Sequence, residues 1–192
     1  MSILKKIAAI LAVLTASHQA FAFYTELGAS YVYKTTFVDN LNNMQTQGVT
    51  GSISLYFWER VALELSYTNS QMVKSEQAVS AASASTLNTI ENDTIYGTDF
   101  IFMFADHKAV LQPYLKAGVG YVTKRQLSQI DNNPPWQVGP YSGWSPDYGA
   151  GVKIMLGESF SLRMGYDVQI TPVANNSTAQ DINGHAGISW VL

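Results

Sequence analysis

The sequence predicts an all-β chain, an eight-stranded antiparallel barrel that crosses a membrane with its strands, and three observations lead there. Apolar and polar residues alternate with period two in eight separate stretches, the signature of strands with two different environments. Only 13% of the 192 residues are charged, about half the ~25% usual in soluble proteins. The connections between the stretches alternate between short and long, as expected for a barrel whose turns lie on one side and whose loops lie on the other.

The clearest stretch is LQPYLKAGVGYV, residues 111–122. Pro113, Leu115, Ala117, Val119 and Tyr121 form its apolar face, and Tyr114, Lys116, Gly118 and Gly120 form the other. Two glycines and a lysine cannot fill the greasy interior of a soluble barrel. They suit a tight, partly polar lumen with lipid on the opposite face.

In chain order, residues 23–36 place Leu27, Ala29, Tyr31 and Tyr33 outward against Glu26, Gly28, Ser30 and Val32. A loop is expected at 39–43. Residues 48–57 set Val49, Gly51, Ile53, Leu55 and Phe57 against Thr50, Ser52 and Ser54, and a short turn follows at Trp58-Glu59-Arg60. The third stretch sets Val61, Leu63, Leu65 and Tyr67 against Ala62, Glu64, Ser66 and Thr68. The polar, low-complexity residues 69–93 read as a long mobile loop.

Residues 94–104 carry Thr98, Phe100, Phe102 and Phe104 on one face, with Gly97, Asp99, Ile95, Ile101 and Met103 on the other. A turn through Asp106-His107-Lys108 leads into residues 111–122. A second long loop is expected at 123–143, where Asn132-Asn133-Pro134-Pro135 gives strong turn signals. The sixth stretch opposes Tyr148, Ala150, Val152, Ile154 and Leu156 to Asp147, Gly149, Gly151 and Lys153, before a tight turn at Gly157-Glu158. The seventh opposes Phe160, Leu162, Met164, Tyr166 and Val168 to Ser161, Arg163, Gly165 and Asp167. After a loop at Asn175-Asn176-Ser177, the eighth opposes Ile182, Ala186, Ile188, Trp190 and Leu192 to Asn183, His185, Gly187 and Ser189.

These lengths match the ~9–11 residues of a tilted membrane strand. An even strand number puts both chain ends on the short-turn side, and closure of the last strand on the first removes the edges that lipid forbids. Aromatic residues fall near strand ends as interfacial girdles: Phe57, Trp58, Phe104, Phe160 and Trp190 on the short-turn side, Tyr33, Tyr67, Tyr121 and Tyr148 on the other.

The amino terminus has the layout of a secretory signal peptide, with Lys5 and Lys6, an apolar run from 7 to 14, and Ala20-Phe21-Ala22 for cleavage. The run is much shorter than the ~20 residues of a spanning helix. The expected division is a cleaved signal at 1–22 and a barrel domain at 23–192. The absence of cysteine excludes disulfides and thiolate metal sites. An acidic balance, with no basic stripe, excludes a nucleic-acid partner.

Together, the export signal, the eight alternating strands, PYLKAGVGY and the terminal ISWVL resemble the small outer-membrane β-barrel superfamily, which includes the OmpA transmembrane domain, OmpX and OmpW. The resemblance implies a Gram-negative outer-membrane address, with lipid and lipopolysaccharide as surroundings. It also implies recognition of the C-terminal strand by the barrel-insertion machinery. Members usually end that strand in an aromatic residue; here Trp190 stands two positions before the final Leu192.

Counted from the short-turn side, Glu26, Glu64, Asp99, Lys116, Lys153 and Arg163 all point inward at similar depth. Three acids and three bases in a narrow lumen are expected to pair, giving a plug or, alternatively, a gate. Asp167 and His185 form a second expected inward pair. Ser189 lies four residues deeper than His185, roughly 13 Å away, which is too far for a nucleophile and its base.

No catalytic residue, cofactor or metal site is expected. Three functions follow: a non-enzymatic envelope barrel acting structurally or through its loops, a narrow porin-like channel for small solutes, or a lipid-modifying enzyme, the least supported. An extracellular ligand would meet Met72, Val73, Trp136, Tyr141 and Trp144 in the long loops, since loops on a rigid scaffold commonly carry binding. The sequence leaves the ligand and the oligomeric state open.

Overall fold

Side chains that alternate along the chain alternate across the wall of a barrel. The computed structural model describes residues 24–37, 43–79, 84–172 and 178–192. It contains β1 (Tyr24–Phe37), β2 (Asn43–Trp58), β3 (Val61–Val79), β4 (Ala84–Met103), β5 (Leu111–Ile130), β6 (Trp136–Met155), β7 (Phe160–Pro172) and β8 (Thr178–Val191). Each strand pairs antiparallel with the next, and β8 returns to β1 through Glu26↔Val191 to Val32↔His185, closing the ring. The expected eight-stranded antiparallel barrel is the observed fold.

The environments of the two faces are also as the alternation demands. Leu27, Ile53, Leu65, Phe100, Leu115, Val119 and Ile188 are exposed on the outer wall. Glu26, Glu64, Asp99, Lys153 and Arg163 are buried inside. A soluble barrel would have the reverse arrangement. The apolar outside and polar inside place the hydrophobic effect at the lipid boundary, and backbone hydrogen bonding around the ring leaves no polar edge to lipid.

Aromatic residues gather on the outer wall at both ends. Tyr67, Tyr96, Tyr121 and Trp144 stand opposite one another across four successive strands. Tyr67 and Tyr96 have ring centroids 5.2 Å apart, and Tyr121 and Trp144 5.5 Å. Trp144, expected in a loop, belongs to this row. At the short-turn end, Phe160 faces Trp190, and Phe102 and Phe104 meet edge to face.

Two expectations are corrected. Residues 69–79, 84–93, 123–130 and 136–143 are not loop but the outer parts of four strands, with a turn at 131–135. The β3–β4 ladder runs unbroken from Val61↔Phe102 to Val79↔Ala84. The β4–β5 ladder reaches Leu87↔Ile130, and the β5–β6 ladder reaches Ser128↔Trp136 after one irregularity at Lys124/Gln126. Met72, Val73, Trp136, Tyr141 and Trp144 are therefore strand residues. The physical reason is that the outward faces of these segments stand above the membrane and meet water rather than lipid, so they need no apolar set, while the inward faces stay buried and backbone pairing continues. Asn43, taken as loop, opens β2; the rest of that loop, residues 80–83 and Asn175-Asn176-Ser177 lie outside the described residues, as does the proposed signal segment.

Amide hydrogen exchange checks this directly. Protection is expected throughout residues 70–75 and 88–93. Exchange at loop rates from Asn69 onward would contradict the extended ladder.

Candidate functional site

The lumen is built in stories, beginning with a floor. Tyr24 and Tyr56 stack with centroids 4.1 Å apart, and Tyr56, Ala62, Ile101, Met103 and Tyr114 form a buried apolar cluster. Ile101 and Met103, which made the β4 pattern untidy in sequence, belong to this floor. Gln112 ties the β4–β5 turn inward, donating to the carbonyls of His107 (2.7 Å) and Ala109 (2.9 Å). Ser161 and Ser189 share a hydrogen bond of 2.5 Å, so Ser189 is occupied far from His185.

Above the floor are two ion pairs. Lys153 of β6 donates to Glu26 of β1, both nearly inaccessible. Arg163 of β7 donates through Nη1 to Glu64 Oε2 of β3 at 2.6 Å, and Ser54 Oγ donates to the same oxygen at 2.6 Å. Each cation also lies over an aromatic floor residue. Lys153 Nζ is 5.4 Å from the Tyr56 ring centroid, and Arg163 Cζ is 5.3 Å from that of Tyr114.

The next group joins four strands. Lys116 of β5 lies 3.1 Å from Asp167 of β7 and 3.7 Å from Asp99 of β4. His185 of β8 places Nδ1 3.0 Å from Asp167 Oδ2, and its Nε2 is 3.1 Å from the Tyr114 hydroxyl. The six charges picked from the sequence thus lie inside the barrel as two close pairs and a third group. In that group Lys116 is nearer Asp167 than Asp99. Asp167 and His185 join it rather than standing apart.

Glycine makes this meeting possible. Gly118 stands between Asp99 and Asp147 in the ladders, and Gly149 stands between Lys116 and Asp167. A Cβ on Gly118 would strike the Asp99 carboxylate, and one on Gly149 the Asp167 carboxylate, each with a backbone carbonyl as well.

A final group lies near the outer mouth and was missed in the sequence. Lys124 of β5 lies 2.9 Å from Glu91, 3.5 Å from Asp93 and 3.6 Å from Asp181. Thr171 Oγ1 donates to Asp181 at 2.9 Å. All but Asp181 and Thr171 fell in segments read as loops. Inward Val122, Lys124, Gln126 and Ser128 do continue the period of Gly118 and Gly120, and that is the signal that would have found Lys124.

Between Glu64–Arg163 below and Lys124 above is a cavity of about 180 Å3. Among the described residues, no cluster of three or more histidine, cysteine or acidic side chains is arranged to hold a metal ion.

The model of the outer membrane protein beta-barrel domain matches residues 7–189. Similar solved structures include the N-terminal β-barrel domain of Pseudomonas aeruginosa OprF. It is 15% identical, with 88% of this chain and 97% of that chain covered and a TM-score of 0.54. The outer membrane protein OprG from Pseudomonas aeruginosa is 12% identical, with 91% and 97% covered and a TM-score of 0.56. At such identities the likeness is one of fold. A comparison with curated protein sequences finds no match. With its apolar wall, closed ring of eight strands and family match over nearly its whole length, the chain belongs to the outer membrane protein β-barrel domain family and sits in the bacterial outer membrane.

Proposed function

We propose that this protein is a non-enzymatic outer-membrane barrel, closed at its periplasmic end, whose task is carried by the strands that rise on the outer side. The observation that carries the reading is the floor. Tyr24, Tyr56, Ile101, Met103 and Tyr114, capped by the Glu26–Lys153 and Glu64–Arg163 pairs, fill the narrow end of an eight-stranded barrel, which is only just wide enough for its own side chains. Opening it requires separating charges inside a low-dielectric wall.

The outer strands supply a recognition surface. The β6–β7 ladder stops at Asp147↔Gln169 and the β1–β8 ladder at Val32↔His185. Among the described residues, the outer part of β6 from Trp136 to Gly143 has no strand partner on its β7 side, which leaves one free edge above the membrane. A free edge is a template for an extended segment of a partner, read through main-chain hydrogen bonds. The signal-peptide layout of residues 1–22 supports delivery by export, insertion by machinery that reads β8, and residence among lipid and lipopolysaccharide. An enzymatic reading gains nothing from Ser189, which bonds Ser161 within the floor.

Single-channel recording of the refolded protein in a planar bilayer tests the closed floor. A silent membrane is the expected result. Discrete openings altered by Lys116→Gln or Arg163→Gln would overturn it and make the interior a selective channel for small solutes.

A further inference from the structure

The cavity above the floor is short of positive charge. Its wall includes the carboxylates of Glu64, Asp99, Asp147 and Asp167 in the lower part and of Glu91, Asp93 and Asp181 near the mouth. Against these seven stand Lys116, Lys124 and Arg163, together with the imidazole of His185, whose Nδ1 lies 3.0 Å from Asp167. Arg163 is committed to Glu64, Lys116 is shared by Asp99 and Asp167, and Lys124 is shared by the three upper acids. A barrel wall surrounded by lipid screens such an excess poorly, so it calls for neutralisation from outside the chain.

A second observation shows where the neutralising group belongs. Asp99 is only 2% exposed and lines the cavity, yet its Oδ1 has no hydrogen-bond partner. Its nearest cation, Lys116, stands 3.7 Å away on the other oxygen. Oδ1 atoms of Asp93, Asp147 and Asp167 are buried around the same space and equally lack partners. Buried carboxylate oxygens without donors are rare, and each is costly. Asp99 and Asp147 flank Gly118, and the Asp99 carboxylate lies over the space that a side chain there would fill. The floor blocks approach from below. Above, the side chain of Asp181 is 42% exposed, so the mouth reaches water.

We propose that the outer half of the lumen is a binding site for a small organic cation carrying N–H donors, of the primary ammonium or guanidinium class. It enters from the extracellular side and donates to Asp99, Asp147 and Asp167. Lys124 already shows the chemistry, since its own ammonium sits among Glu91, Asp93 and Asp181 at the mouth. The site goes beyond the function proposed above and stands with either result of the conductance measurement, because it needs the carboxylates and not the free β-edge.

The test is a titration of the full refolded protein in lipid nanodiscs, reading the amide resonances of Gly118 and Gly149. The probes are methylammonium, tetramethylammonium and calcium chlorides, with sodium chloride matching ionic strength. Saturable shifts with methylammonium, at least tenfold weaker apparent affinity for tetramethylammonium, and at least tenfold weakening in Asp99→Asn/Asp147→Asn are expected. If the double variant does not fold, Asp147→Asn alone is expected to weaken binding several-fold. Asp106→Asn, in a periplasmic turn, is expected to leave the affinity unchanged. A response no larger than that to sodium chloride would overturn the proposal and leave protons as the neutralising charge. Saturation by calcium but not methylammonium would overturn it in favour of a metal ion.

Discussion

Replacing Arg163 with methionine is expected to destabilise the barrel by about 3–5 kcal/mol, the usual cost of leaving a buried charge without its partner. Arg163 is 8% exposed and Glu64 5%, and among the described residues no other cation lies within ion-pair distance of Glu64. Among the described residues, the variant leaves Glu64 with the Ser54 hydroxyl as its one donor, and Tyr114 loses the guanidinium over its ring. Urea unfolding in lipid vesicles, followed by the different gel migration of folded and unfolded barrel, measures the loss. The double variant Glu64→Gln/Arg163→Met is expected to recover most of it, because no uncompensated charge remains. The single and double variants together give the coupling of the pair. A single-variant cost under about 1 kcal/mol would mean that Glu64 is effectively hydrated, as exposed ion pairs are, and that the lumen is wet down to the floor.

Leu115→Arg is the second large effect, and it probes the outside of the same wall. Leu115 is 49% exposed and lies next to Phe102 and Ala150 on neighbouring strands, five positions above the β4–β5 turn. That depth is near the middle of the hydrocarbon layer, where an arginine on a barrel costs about 2–4 kcal/mol. Leu127→Arg supplies the contrast. Leu127 is on the same face of β5 and is 42% exposed, but it stands six residues beyond the Tyr121 girdle. In water that substitution is expected to change stability by less than about 0.5 kcal/mol. Equal costs at both positions would place the membrane boundary elsewhere. Near-zero cost at both would contradict a lipid-facing wall.

The pair of substitutions also marks where sequence reading succeeds and where it stops. At Leu115 the two faces of β5 meet lipid and lumen, two solvents so different that the residue types must alternate. Strand number, facing and the membrane address were therefore legible, as was the inward direction of Glu26, Glu64, Asp99, Lys116, Lys153 and Arg163. At Leu127 the outward face meets water, while inward Ser128 stays buried. The composition of residues 69–93 and 123–143 then resembles that of a loop, although the backbone pairs on through Ser75↔Asn88 and Ser128↔Trp136.

Partner choice was the other limit. Period-two patterning says that a side chain points inward, but not which strand faces it across the lumen. That depends on closure of the ring and on the stagger between strands, which only the assembled barrel sets. Closure brings Lys153 to Glu26 across 127 residues of chain and Arg163 to Glu64 across 99. It draws Lys116 toward Asp167 rather than Asp99, because Gly149 leaves the space open between β5 and β7. The sequence by itself determined a barrel with an apolar wall and a charged interior, since those follow from local alternation and composition. Only the tertiary structure decided which charges neutralise each other and which carboxylates are left over, since electrostatic energy depends on distances across the lumen that no local pattern encodes.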